Sequence, residues 1–213
     1  DWGTHPTMAY AAMISAAFFE DDIEKLVKLA VNAVPNTGPF AEGIKDVIRW
    51  HEQHDDWRVT RQLIHKKYWA YKSNELEAPI SIVSSLNNGL TGIMALLYGE
   101  GDYSRTVGIA TSAGYDSDNQ AATLGGLIGT MKGMTGLNDD VGTRMKTLDA
   151  SGEWDEPFND TYVNISRDEI ALRTPITEIA ARIVAIAEQA IRDNGGRMIQ
   201  NNDEVYYVIN ADI

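Results

Sequence analysis

The chain has no cysteine, so it can carry no disulfide framework, no thiolate-bound zinc and no cysteine nucleophile. Basic residues are scarce as well. Against 31 Asp and Glu stand 18 Lys and Arg, a formal net charge of -13, which repels phosphate backbones and anionic bilayers and argues against nucleic acid and membrane as partners. The most apolar stretches, around residues 8–19 and 121–131, fall short of the roughly 18 to 20 residues that cross a bilayer, so no transmembrane helix is expected. Also missing are a G-x-S-x-G elbow, a P-loop and a G-x-G-x-x-G dinucleotide pattern. The opening "DWGTHPTMAY" has neither a basic n-region nor a Met. It is expected to be neither a signal peptide nor a translation start, and the chain to be processed or truncated. The compartment stays open, the cytoplasm being the readier expectation.

What is present suits a folded body, since 213 residues with 44% hydrophobic content can build one sizeable core. Thr4 ahead of Pro6 marks a helix start that "MAYAAMISAAFFE" continues. "DDIEKLVKLAVNAV" has acids in its first turn and Ile23, Leu26, Val27, Ala30 and Val34 on one face, until Pro35 and Gly38 break it. "FAEGIKDVIRWHEQH" and "WRVTRQLIHKKYWAY" read as two more amphipathic helices, separated by a turn at Asp55 and Asp56. From Pro79 to Tyr98 the chain is apolar on most sides, which predicts a buried helix with a polar break at Asn87, Asn88 and Gly89. "DYSRTVGIATSAG" predicts a short helix ending at Gly114, and another helix is expected from about Asn119 to Lys132.

Past "NDDVGTRMKTL" the character changes. "DASGEWDEPFND" reads as a linker, and "TYVNI" and "EVYYVI" as strands flanking the helix "TPITEIAARIVAIAEQAIRDNGG", capped by Thr174 and stopped by Gly195 and Gly196. The expected fold class is mainly all-α, residues 1–150 forming an orthogonal helical body and 151–213 a small α+β tail.

Chemistry concentrates in "SAGYDSDNQAATLGGLIGTMKG". Asp116 and Asp118 sit two apart ahead of a helix. Two adjacent carboxylates repel unless a cation or a proton lies between them, and with Ser117, Asn119 and Gln120 they offer the oxygen ligands that hard divalent ions prefer. An EF-hand is excluded, because its glycine and bidentate glutamate would fall on Ala121 and Leu127. The plainer reading keeps both aspartates as solvated turn residues, with Asp118 as a helix N-cap. Gly125, Gly129 and Gly133 line one side of the helix, each costing about 1 kcal/mol against alanine, which predicts a close approach there. His51 and His54 lie one turn apart and could ligate a transition metal, but among so many charges read better as a wet surface. His65 reads as a lone histidine on an amphipathic helix.

At "GYDSDNQAATLGGLIGTMKG" the sequence resembles the ADP-ribosylglycohydrolase family, whose signature is a glycine, one residue, then D-T-D-T or D-T-D-C, alanines and a glycine-rich helix. "THPTMAYAAMISAAF" and "NNGLTGIMALLYGEGDYSRTVGIATSAG" are similar to the family's histidine-proline helix and to the helix pair leading into its aspartate loop. The resemblance runs from Gly3 to Leu148.

It implies an all-α fold that cleaves the glycosidic bond at the ribose carbon of an ADP-ribosyl group, on a protein or a small ADP-ribose derivative, with two Mg²⁺ ions that Ca²⁺ or Mn²⁺ could replace. The family's metal ligands fall on Asp116, Asp118 and Asn119, the last where threonine is usual. Ser117 stands for another threonine. By the same resemblance His5, Gly114, Tyr115 and Ser117 lie near substrate, a general base is not identified, and a monomer is expected. The family's S/T-D-D triplet has no counterpart; the Asp pairs at 21–22 and 139–140 do not fit it. The chain is therefore expected to be the C-terminal portion of such an enzyme, holding half of its metal site. The alternatives are a relative that keeps the fold without turnover, and a helical scaffold whose aspartates only cap.

Overall fold

The computed structural model describes residues 2–71, 81–148, 160–164, 171–202 and 204–210. The chain divides into two compact units, residues 1–157 and 158–213. The expected linker at 149–160, all but Asp160, and the expected helix start at Pro79 lie outside the described residues.

The first unit is helical: α1 (His5–Ala16), α2 (Ile23–Asn32), α3 (Pro39–Gln53), α4 (Trp57–Tyr68), α5 (Ser85–Gly99), α6 (Tyr103–Ala113) and α7 (Ser117–Leu148). The starts have local causes. Asp22, Asp56 and Asp102 each accept a backbone N–H of the following first turn, which satisfies a donor the helix cannot. Pro6 and Pro39 occupy first-turn positions of α1 and α3, where the missing N–H costs nothing.

α5 is the centre. Every residue from Leu86 to Gly99 is buried, and α1, α2, α3, α4, α6 and α7 all pack on it. The polar break expected at Asn87–Gly89 is absent: the helix is continuous and these residues form its first turns. Burial without interruption is possible because most of these polar groups find partners, the buried Asn87 Oδ1 being left without one. The Thr91 hydroxyl donates to the Asn87 and Asn88 carbonyls at 3.1 and 2.9 Å. The Asn88 amide donates to the Ile82 and Ser84 carbonyls at 2.8 and 2.9 Å.

Close approach falls on this helix more than on the stripe of α7. A methyl group at Gly89 would meet Phe40 at 2.6 Å and Pro6 at 2.9 Å, and one at Gly92 would overlap the Tyr10 hydroxyl and the Gln120 amide oxygen. Along α7, Gly125 lies against Tyr103 at 3.2 Å, Gly129 only touches Leu137 at 3.4 Å, and Gly133 has open space. Gly133 instead takes φ 62°, ψ 179° and breaks α7 there, one residue after the predicted end at Lys132. Gly92→Ala is thus expected to lower stability by about 1–3 kcal/mol through overpacking. Gly129→Ala should be neutral or gain up to about 1 kcal/mol of helix propensity. Equal midpoints for the two variants in urea unfolding would contradict this assignment.

The second unit holds β1 (Tyr162–Val163), β2 (Arg173–Thr174), α8 (Ile176–Asp193), β3 (Arg197–Asn201) and β4 (Glu204–Val208). β1 pairs antiparallel with β2, and β3 with β4. Thr174 lies in β2 and does not cap α8; the Asp160 carboxylate accepts from the Thr177 N–H and hydroxyl at 2.8 and 2.7 Å instead. β3 was not anticipated. Its signal is the polar "NND" between "RMIQ" and "EVYYVI", a hairpin turn with Asn202 at φ 53°.

Candidate functional site

The aspartate loop joins α6 to α7. Gly114 closes α6 at φ 80°, and Tyr115 follows at φ 63°, a left-handed conformation that costs a side-chain-bearing residue roughly 1–2 kcal/mol. Neighbouring groups hold it there. The Arg61 guanidinium lies 4.6 Å over the Tyr115 ring and Arg61 Nε donates to the Ala113 carbonyl at 3.0 Å. The Tyr115 hydroxyl and His65 Nδ1 are hydrogen-bonded at 2.7 Å, and Trp69 stacks on both His65 and Tyr115, at 5.1 and 5.4 Å between centroids. Burial pushes the Tyr115 phenol up despite the nearby Arg61.

On the other side of the loop, the Asp116 N–H donates to Asn88 Oδ1 at 2.9 Å. The buried Asn88 thus fixes the loop to the central helix. α7 begins at Ser117, two residues earlier than expected, so Asp118 lies inside its first turn and is not its N-cap. Burial and the facing Asp118 carboxylate together raise the Asp116 carboxyl above its ordinary value. Neither aspartate has a salt bridge to a basic side chain among the described residues.

Beneath the loop lies a cleft of about 410 Å³, walled by Pro6, Tyr10 and Ile14 of α1, Asn88 and Gly89 of α5, and Asp116, Asn119, Gln120 and Thr123. That volume is within the range of small-molecule sites. Of the residues expected near substrate, Gly114, Tyr115 and Ser117 belong to the loop, though none of the three lines this cleft. His5 does not line it either; its ring packs against Gly38, where a methyl would come within 2.6 Å, and its buried Nδ1 has no hydrogen-bond partner.

Carboxylate and amide oxygens are the donor type that a hard divalent ion takes. Two facing carboxylates without a countercharge, beside the Asn119 amide, are what such an ion neutralises. Yet no group of three or more His, Cys, Asp or Glu that could hold a metal ion occurs among the described residues.

His51 and His54 go separate ways: His51 stands edge-on to Tyr98 at 4.6 Å, while the His54 carbonyl accepts from the Tyr98 hydroxyl at 2.6 Å. His65, read as a lone histidine on an amphipathic helix, braces the aspartate loop. Arg61, His65 and Trp69 are spaced four apart, which puts them on one helix face, and that spacing is the signal that could have found them.

The sequence model of the family described as ADP-ribosylglycohydrolase matches residues 3–187, which takes in both α1 and the aspartate loop and runs past Leu148 into α8. No curated protein and no solved structure matches the chain.

Proposed function

The chain belongs to the ADP-ribosylglycohydrolase family, and from that membership we propose that it serves metal-dependent hydrolysis of the glycosidic bond of an ADP-ribosyl group, carried on a protein or a small molecule. One observation carries the reading: Asp116 and Asp118 face each other beside a ligand-sized cleft, with no basic counterion among the described residues, inside the matched residues. Asp116, Asp118 and the Asn119 amide oxygen are the groups that would hold a divalent ion, Mg²⁺ in the first place and Ca²⁺ or Mn²⁺ as substitutes. Such an ion supplies, when bound, Lewis-acid charge to substrate oxygens and water.

The remaining work falls to the chain's own residues. Asn88 holds the Asp116 backbone in place. Pro6 and Ile14 of α1 give the cleft an apolar side against which a ligand can pack. The two carboxylates put negative charge where positive character grows on the anomeric carbon as the leaving group departs.

The chain supplies half of a two-ion site in this reading. Two ions about 3.5 to 4 Å apart repel and need more carboxylates than one loop provides, and no S/T-D-D triplet occurs in the sequence. The test follows ADP-ribose release from ADP-ribosyl-arginine, ADP-ribosyl-serine and O-acetyl-ADP-ribose, with EDTA controls. Residues 1–213 alone are expected to be inactive, and the same chain extended by an S/T-D-D-bearing segment to show EDTA-sensitive turnover. Turnover by the chain alone would overturn the half-site. Inactivity of the extended protein on all three substrates would favour a relative without turnover, the reading that Asn119 in place of the usual threonine supports.

A further inference from the structure

α1 runs into a turn that carries Phe18 and Phe19, 70% and 78% exposed, and no large apolar side chain among the described residues is more exposed than Phe19. Their ring centroids lie 6.4 Å apart, so they form one patch. Single apolar side chains on a surface are ordinary, but two adjacent phenylalanines held out into water point to something that covers them. Beside them opens a groove of about 460 Å³, lined in part by Asp21 and Asp22. Two residues of extended chain reach at most about 7 Å, which ties the patch to the groove. The floor is apolar, made by Ile23 of α2 and Leu97 of α5 and continued by Val27 and Ile48 in an adjoining hollow that shares Glu24, His51 and Leu97 with it. The rim is acidic.

Around this corner Glu20, Asp21, Asp22, Glu24, Glu52 and Glu100 outnumber Lys25, Lys28 and Arg105. Those three cations are already engaged, Lys25 with Glu20 at 3.1 Å and Asp22 at 3.9 Å, Lys28 with Glu24 at 3.2 Å and Arg105 with Glu100 at 3.4 Å. Asp21 and Glu52 have no salt bridge among the described residues. α5 also ends here, at Gly99, and brings the negative end of its dipole to the groove. An anionic bilayer, a nucleic acid or a second copy with its own net charge of -13 is repelled by such a field. We propose that the corner between α1 and α2 is a docking surface for a basic protein segment. Large apolar side chains of that segment cover Phe18 and Phe19, while a lysine or arginine lays its methylene stem on Ile23 and Leu97 and leaves its charge among the rim carboxylates. The surface lies at the far end of α1 from Pro6 and Tyr10, which wall the cleft, so it stands apart from the proposed function.

Fluorescence anisotropy of the full chain with a labelled amphipathic peptide of leucine and lysine tests this, beside oligolysine and a leucine–glutamate peptide. The leucine–lysine peptide is expected to bind, and the other two to bind at least about tenfold more weakly. Phe18→Ser combined with Phe19→Ser should weaken the leucine–lysine peptide at least about tenfold, since both rings leave water when it binds, and should leave the thermal midpoint in place because both are exposed. Asp21→Asn combined with Glu52→Gln should weaken it roughly three- to fivefold and flatten its salt dependence. Glu178→Gln combined with Asp193→Asn removes the same charge from exposed positions of α8 and should change nothing, which separates this surface from the general attraction of an acidic protein for a cationic peptide. Failure of the leucine–lysine peptide to bind wild type, or equal binding by wild type and the phenylalanine variant, overturns the docking surface. An equal loss in the α8 control, or tight binding of the leucine–glutamate peptide, does so too. Sedimentation supplies the last arm: a wild-type dimer that the phenylalanine variant dissolves would make a second copy the occupant and overturn the basic partner.

Discussion

Asp46→Ala is expected to destabilise the helical unit by about 2–3 kcal/mol, lowering the thermal midpoint by several degrees. The Asp46 carboxylate is buried between α3 and α4, where it accepts from Lys67 Nζ at 2.5 Å, Tyr68 Oη at 2.7 Å and Arg49 Nη2 at 2.5 Å. Losing one member of a fully buried ion pair costs about 3–5 kcal/mol. Here both cations are roughly half exposed and can turn to water, which brings the figure down. The Tyr68 hydroxyl has no such escape, since Tyr68 is 1% exposed. Tyr68→Phe should cost less, about 1 kcal/mol, because it leaves the ion pairs intact. An Asp46→Ala midpoint equal to wild type would dismiss the network as a stabilising element.

The same carboxylate sets an acid limit. Burial alone would raise the Asp46 carboxyl, but Lys67, Tyr68 and Arg49 outweigh it and hold it below its ordinary range. A depressed folded value means that the unfolded chain binds this proton more readily. The contribution is therefore fully present above the unfolded carboxylate value of about 4 and is lost as pH falls through the lower folded value. The wild-type stability advantage over Asp46→Ala should be flat near neutrality and shrink only in acid.

The helices and their faces were legible because their cause is local. In α2 the apolar spacing of Ile23, Leu26, Val27 and Ala30 is the buried face, and the straight run of α7 stops at Gly133, next to the expected end at Lys132. Asn87 and Asn88 misled for a physical reason. Paired amides on an apolar helix read as a break, whereas here Asn88 spends its donors on backbone carbonyls and its oxygen on Asp116, so a polar residue becomes the anchor of the site. Partners distant in sequence left no trace: His65 lies 50 residues from Tyr115, and Asp46 lies 21 from Lys67. Nor does a glycine pattern say which neighbour comes close. Gly92 and the α7 stripe look alike in sequence, and only the crossing of α1, α5 and α7 makes Gly92 the crowded one.

Asp116→Ala and Asp118→Ala are each expected to reduce Mg²⁺ or Ca²⁺ affinity about a hundredfold, measured by calorimetry on the intact protein. The size follows from charge. Removing one unit charge in contact with a doubly charged ion costs about 3 kcal/mol even at the dielectric constant of water, and each 1.4 kcal/mol is about tenfold in affinity. Asp116→Asn and Asp118→Asn keep an oxygen but not the charge, so they should lose nearly as much. Asn119→Ala removes a neutral oxygen that water can replace, and its loss should stay below about tenfold. Asp21→Ala, an exposed aspartate elsewhere, serves as the control for bulk charge and should bind as wild type. Stability without ion should move the other way. Asp116 and Asp118 now face each other and raise the Asp116 carboxyl, so deleting either relieves repulsion, and the single variants should unfold no earlier than wild type in EDTA. Adding Mg²⁺ should then raise the wild-type midpoint and leave theirs in place, since only a form that binds the ion gains from it. Equal cation affinity in wild type and both alanine variants would return the two aspartates to ordinary turn residues.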